Sequence, residues 1–130
     1  MENRFGGGCA CGAVRYESNT AIEFAMHCQC RRCQRITGTG HASSFAVAAD
    51  GVRLSGPIKY FEQVSDSGAH TKSGFCPECG SPILSKTDRF PGKLYLHAAT
   101  LDDPSIFSPS AIVHQASAQP WDYMDPRLKG

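Results

Sequence analysis

All seven cysteines of this 130-residue chain fall into three short groups, and their spacing suits metal ligands. The first group is Cys9 and Cys11, flanked by Gly8 and Gly12. Residues two apart in an extended segment point to the same face, so both sulfurs can reach one ion about 2.3 Å away. The flanking glycines let the backbone turn tightly around that ion. This group therefore predicts half of a four-ligand site.

The group Cys76 and Cys79 supplies the other half. It reads Cys-Pro-Glu-Cys-Gly, in which Pro77 fixes φ after the first ligand and Gly80 permits a positive φ after the second. Two such pairs, far apart in sequence, form one tetrahedral zinc site of four thiolates. We therefore predict a structural zinc on which the fold depends, held by Cys9, Cys11, Cys76 and Cys79.

The remaining group, Cys28, Cys30 and Cys33, has both spacings within six residues. No eighth cysteine exists to complete a shell of four. Three protein ligands and an open position are typical of a catalytic zinc, so these three cysteines are the candidate catalytic site. In the alternative interpretation, His27, His41 or an aspartate closes the shell as a second structural site. A redox pair of Cys30 and Cys33 lacks the βαβ context expected of it.

Three arginines surround the last of these cysteines: Arg31, Arg32 and Arg35. They either form a solvated face or offset the negative charge of a zinc–thiolate centre and bind a substrate carboxylate. The other histidines, His70, His97 and His114, are expected to be surface or core residues rather than ligands.

The overall charge gives no support for a nucleic-acid partner. The formal net charge is +1, and metal-bound thiolates would make the chain slightly acidic. No window approaches the roughly 18 apolar residues of a membrane span, and the first residues lack the apolar stretch of a signal peptide. We therefore expect no membrane partner and a reducing, cytoplasmic location, where paired cysteines more often bind metal than form disulfides.

Short alternating runs between Gly, Pro, Asn and Asp predict strands and hairpins along the chain. Leu94, Leu96 and Ala98 alternate with Tyr95 and His97 in one such run. Ile22, Phe24 and Met26 share a face in another, and residues 111–114 form a third. The one predicted helical turn covers Arg31 to Ile36. We expect a single domain over residues 1–130, mainly β and mostly antiparallel.

The motifs that carry these cysteines resemble the glutathione-dependent formaldehyde-activating enzymes, a family that shares a domain with centromere protein V. The resemblance rests on five segments, in order: Gly7 to Tyr16, His27 to Cys33 with Thr37-Gly38, Phe75 to Gly80, Thr100 to Pro104, and Ser117 to Trp121. It covers nearly the whole chain. Many members carry a histidine nine residues before the tryptophan. That position is Ile112 here, and His114 lies two residues later, on the same face of the predicted strand.

The resemblance implies a β-tent fold and two zinc ions, one on Cys9, Cys11, Cys76 and Cys79 and one on Cys28, Cys30 and Cys33. It implies formation of S-(hydroxymethyl)glutathione from formaldehyde and glutathione, classed as a carbon–sulfur lyase for the reverse reaction. The open zinc would bind the thiol, whose pKa is about 8.5 when free, and keep it deprotonated. Arg31, Arg32 or Arg35 would pair with a glutathione carboxylate. The alternative is a non-catalytic zinc module that binds a protein partner.

Overall fold

Ten short strands and one helix make up the regular structure of residues 4–128, which a computed structural model describes. Short 3₁₀ turns connect several of them. The expected mainly β fold is confirmed. The strands are β1 (Phe5–Gly8), β2 (Arg15–Ser18), β3 (Phe24–Cys28), β4 (Ala42–Ala48), β5 (Val52–Ser55), β6 (Lys59–Val64), β7 (His70–Phe75), β8 (Pro82–Thr87), β9 (Lys93–His97) and β10 (Ala111–Val113), and the helix is α1 (Arg31–Thr37).

The strands form two sheets. The larger has seven strands in the order β10-β3-β4-β9-β8-β7-β6, and the smaller has three in the order β1-β2-β5. Every pair is antiparallel except β10 with β3, which run parallel. A parallel neighbour requires a long crossover connection, and here the chain from β3 to β10 passes through the rest of the fold.

The hydrophobic core lies between the two sheets. Tyr16 of β2 packs in one buried cluster with Phe45 of β4 and Leu96 of β9. These three side chains are almost fully buried because alternate residues of a strand point to the same face. The predicted alternation of Leu94 and Leu96 is confirmed, since both are buried in β9.

Gly7 shows why the first strand is glycine-rich. A Cβ atom at this position would lie 2.2 Å from the backbone oxygen of Thr100 and 2.4 Å from the hydroxyl oxygen of Tyr16. That hydroxyl is buried and forms a 2.8 Å hydrogen bond with Thr100 Oγ1. The first strand therefore lies so close to the 3₁₀ turn after β9 that only glycine fits at position 7.

Helix α1 extends one residue past its predicted end at Ile36. It begins after Cys30, whose sulfur accepts a hydrogen bond from the Cys33 amide, and it ends at Gly38, which has a φ of 76°. The left-handed residue stops the helix, and its amide donates to the oxygen of Gln34 at 2.8 Å. No helix of the described residues is long and apolar enough to cross a membrane.

Three details of the predicted strands are wrong. Ala98, placed in the run with Leu94 and Leu96, begins the 3₁₀ turn that follows β9. Ile22 precedes β3 and does not belong to it. His114 follows β10 with a φ of 59°, so the chain leaves the strand there and His114 does not share the face of Ile112. Ile112 is buried and His114 is exposed. A left-handed residue ends the strand because its conformation cannot continue the pleat.

Candidate metal centres and cavities

The four cysteines predicted to hold a structural zinc lie together. Cys9 and Cys11 are in the turn between β1 and β2, and Cys76 and Cys79 are in the turn between β7 and β8. Their sulfurs all lie within 4.8 Å of one another. The sulfurs of Cys9 and Cys11 are 3.6 Å apart, and those of Cys11 and Cys76 are 3.8 Å apart. A tetrahedral ion with sulfur bonds of about 2.3 Å requires sulfur separations of about 3.8 Å, so the donor set fits zinc.

Both turns have a glycine with a positive φ directly after their second cysteine. Gly12 follows Cys11 with a φ of 84°, and Gly80 follows Cys79 with a φ of 80°. The Gly80 amide donates to the oxygen of Cys76 at 2.7 Å, and the Gly12 amide donates to the oxygen of Cys9 at 3.2 Å. Each glycine therefore closes a tight turn that aims two sulfurs at one point.

Electrostatics around these sulfurs also favour a bound cation. The backbone amide of Val14 lowers the pKa of Cys9. A hydrogen bond from Ser81 is the main reason why the pKa of Cys79 falls to about 5. The Ala13 amide favours the Cys11 thiolate, but burial and the neighbouring sulfurs together raise the pKa of Cys11 to about 12. Four crowded sulfurs thus ionise only in part without a cation, and a soft divalent ion would relieve their repulsion.

The three-cysteine group lies at the junction of β3 and α1. Cys28 ends the strand, Cys30 caps the helix, and Cys33 is in the first helical turn. Their sulfurs lie within 4.8 Å of one another, with Cys28 buried and the other two partly exposed. Hydrogen bonds from Cys28 and Cys33 lower the pKa of Cys30 to about 2, whereas hydrogen bonds with Cys28 and Cys30 raise the pKa of Cys33. One thiolate held by two thiols is a donor set that a thiophilic metal would occupy by displacing the protons.

No fourth ligand joins this group among residues 4–128. His27, one alternative, instead pairs its Nδ1 with the Ser43 hydroxyl at 2.9 Å. His41, a second alternative, pairs its Nδ1 with Asp122 at 2.9 Å. Exposed His114 is close enough for its charge to favour the Cys30 thiolate. The described residues therefore leave the shell of a metal on Cys28, Cys30 and Cys33 one ligand short.

The three arginines line one shallow cavity of about 360 Å³, together with Phe61 and Gln63 of β6. Arg31 and Arg35 are exposed, and Arg31 bonds Gln34 of its own helix. Arg32 is anchored, because its Nε donates to Gln63 at 3.1 Å and its Nη2 donates to Ser73 at 2.6 Å. None of the three cysteines lines this cavity.

A larger cavity of about 620 Å³ was not foreseen from the sequence. Its walls come from the turn that holds Cys9, the end of α1, and residues at the ends of the neighbouring strands β4 and β9. They include His41, Ser43 and His97. Burial, aided by the charge of Arg32, lowers the pKa of His97 to about 4, so this imidazole is neutral at physiological pH. No sequence signal links His41 to Asp122, since the two are 81 residues apart.

The structure is therefore that of a mainly β protein with two cysteine clusters, each with a geometry that could hold a metal ion. The family model for glutathione-dependent formaldehyde-activating enzymes matches residues 4–117. The chain therefore belongs to that family, as its motifs predicted. A solved Rhodobacter sphaeroides protein from a structural genomics programme has a similar fold, with a TM-score of 0.60 and 24% identity over 75% of this chain and 87% of that one. No curated protein matches the chain.

Proposed function

We propose that this protein is a zinc-dependent enzyme that adds glutathione, or a related thiol, to formaldehyde or another small aldehyde. The reverse reaction is that of a carbon–sulfur lyase. The observation that carries the proposal is the three-cysteine group at the β3–α1 junction, which lacks a fourth ligand among the described residues. Membership of the formaldehyde-activating family supports the choice of substrates.

The two clusters would hold two zinc ions with different tasks. Cys9, Cys11, Cys76 and Cys79 would hold the structural ion, and Cys28, Cys30 and Cys33 would hold the second. When bound, the second ion would supply a lowered pKa to a thiol in its open position, so that the sulfur is a thiolate at neutral pH. Partial exposure of Cys30 and Cys33 leaves this position open to a ligand from solvent.

The protein's own side chains offer two places for the body of the thiol. The cavity of about 620 Å³ is within the range of small-molecule sites. At the other cavity, Arg31 and Arg35 carry exposed guanidinium groups that suit a carboxylate, while Arg32 already donates to Gln63 and Ser73. We therefore assign substrate carboxylate binding to Arg31 and Arg35 first, with Arg32 as the residue that fixes the arginine face to β6 and β7.

A cytoplasmic location and one domain over residues 1–130 are part of the same proposal. Seven cysteines without a disulfide among the described residues suit a reducing compartment. The core shared by both sheets suits one folding unit.

The test measures zinc and catalysis together. Purified protein should carry two equivalents of zinc, and saturating glutathione should slow removal of one of them by a chelator. Exchange NMR should show S-(hydroxymethyl)glutathione forming faster than in the uncatalysed mixture of glutathione and formaldehyde. Cys30→Ser should remain folded, retain one zinc and lose the acceleration.

Two results would contradict the proposal. If glutathione neither protects the second zinc nor raises the melting temperature, glutathione is not the ligand. If glutathione binds and no acceleration is seen with any small aldehyde, the protein is a zinc module without this activity.

The Arg31→Gln/Arg35→Gln double variant should raise the KM for glutathione. The control is Arg53→Gln, which replaces an exposed arginine on β5 and should leave this KM unchanged.

A further inference from the structure

A histidine–carboxylate pair lies at the wall of the larger cavity. His41 Nδ1 is 2.9 Å from Asp122 Oδ1 and 3.0 Å from Asp122 Oδ2. The Asp122 side chain is 8% exposed and that of His41 is 21% exposed. A carboxylate so well buried requires hydrogen-bond partners, and it fixes the orientation of the imidazole.

The chain holds Asp122 in place from two sides. Gln29 Nε2 donates to Asp122 Oδ2 at 3.1 Å. Gly40 lies directly beneath the carboxylate, where a Cβ atom would be 2.2 Å from Asp122 Cγ. The residue before His41 is therefore glycine because Asp122 occupies the space that any side chain would need.

This arrangement leaves one nitrogen of His41 for chemistry. With a carboxylate against Nδ1, that nitrogen carries the hydrogen and donates it, so Nε2 of the neutral ring is a base. Nε2 has no hydrogen-bond partner within residues 4–128. His41 lines the cavity, so its free nitrogen belongs to a residue that a bound molecule would contact.

The pair is also joined to the three-cysteine loop. Gln29, which bonds Asp122, lies between Cys28 and Cys30 in sequence. The Thr37 hydroxyl is 2.8 Å from the oxygen of Cys33 and 3.1 Å from the oxygen of His41. Two hydrogen-bonded links thus fix the position of His41 relative to the loop at which the thiol is proposed to bind.

We propose that His41 is the general acid–base of the thiol–aldehyde reaction and that Asp122 is its positioning residue, an inference that rests on the proposed function. His41 Nε2 takes the thiol proton when the thiol binds and ionises, and the thiolate sulfur then attacks the carbonyl carbon. The carbon–sulfur bond forms, the carbon–oxygen π bond breaks, and its electron pair goes to oxygen. The same proton then passes from His41 to that oxygen, so the hydroxymethyl thioether forms with no net change in the enzyme.

The groups that face this pair define its pH behaviour. His27 packs edge-on against His41 with ring centroids 4.9 Å apart. His97 and the Arg15–Asp102 ion pair line the same cavity. Asp122 is the one carboxylate that contacts the imidazole among the described residues, so its removal should weaken the imidazolium form.

The test compares His41→Gln, Asp122→Asn and His70→Gln by exchange NMR, zinc content and melting temperature. His70 is a matched control, because its Nδ1 also pairs with a carboxylate, Glu62 at 3.2 Å, but lies exposed and lines neither cavity. We expect His41→Gln to keep two zinc ions and lose about 100-fold or more in kcat. Asp122→Asn should shift the acidic limb of the rate–pH profile to lower pH, and His70→Gln should behave as the parent protein.

Each other outcome has a distinct meaning. If the parent protein accelerates the reaction and His41→Gln does so equally well, the role of His41 is refuted while the proposed function stands. If His41→Gln loses one zinc ion, His41 is a metal ligand and the proton-transfer role is wrong. If the parent protein itself gives no acceleration, the proposed function fails and the inference fails with it. Should His41→Gln not fold, Asp122→Asn with an unshifted pH profile would overturn the inference by itself.

Discussion

Replacing Cys76 and Cys30 with serine, one at a time, compares what the two cysteine clusters contribute to folding. Each change removes one thiolate from a cluster whose sulfurs lie within 4.8 Å of one another. Each variant therefore loses the same kind of ligand. A difference in stability between the two variants reports which parts of the fold each cluster connects. Cys76 belongs to a cluster that joins the β1–β2 turn to the β7–β8 turn, whereas Cys30 belongs to one confined to a single junction.

The size of that difference follows from loop closure. The sulfurs of Cys11 and Cys76 belong to residues 65 positions apart. Treated as a crosslink, such a loop constrains the unfolded chain by about 4 kcal/mol, against about 2 kcal/mol for the six residues from Cys28 to Cys33. Cys76 is also fully buried in the core cluster, where a serine hydroxyl is poorly placed. Cys76→Ser should therefore be less stable than Cys30→Ser by about 2 kcal/mol or more, which lowers the melting temperature by roughly 6 °C further.

The assay is thermal unfolding followed by circular dichroism, with zinc counted by mass spectrometry on the same samples. Cys30→Ser should unfold cooperatively and carry one zinc ion in place of two. Cys76→Ser should show the lower melting temperature, or aggregate during purification if the remaining stability is too small. Equal melting temperatures for the two variants would refute the assignment of the structural role to the four-cysteine cluster. A Cys76→Ser protein as stable as the parent would refute the metal crosslink altogether.

Two further predictions concern the scaffold around the sites. Gly7→Ala should lower the free energy of unfolding by about 2 kcal/mol, because its Cβ would meet the Thr100 oxygen at 2.2 Å; Gly92→Ala, with open space around its Cβ, should stay close to the parent in chemical denaturation. Burial lowers the pKa of His97 to about 4. Between pH 6.5 and 4 the unfolded chain therefore binds a proton at His97 that the folded chain does not, and the free energy of unfolding decreases as the pH is lowered. His97→Gln should therefore lose about 2 kcal/mol less stability than the parent between pH 7 and pH 5, and identical losses would contradict this account.

The sequence predicted the features of the fold that depend on local spacing. Paired cysteines with glycine after the second ligand indicated tight turns, and Gly12 and Gly80 both have the positive φ that such turns require. The alternation around Leu94 and Leu96 indicated a strand buried on one face, and both side chains are buried. These patterns are readable because each one is set within a few residues of chain.

Features that depend on distant residues were not predictable in this way. The parallel pairing of β10 with β3 is set by the path of the whole chain. The pair of His41 with Asp122 joins residues 81 positions apart, and neither residue lies in a motif. His114 was placed on the face of Ile112 by period-two counting, which cannot detect a residue with a φ of 59°.

The proposed structural and ligand-binding roles of the two cysteine clusters follow from how far apart their ligands are in sequence. A metal held by Cys11 and Cys76 closes a long loop and joins two sheets, so its release would open the core, and such a site is suited to structure and not to exchange of ligands. A metal held by Cys28, Cys30 and Cys33 closes a loop of six residues, so the surrounding fold tolerates a change of ligand there. The proposed open coordination position would therefore lie at the site where binding and release of a thiol cost the fold least.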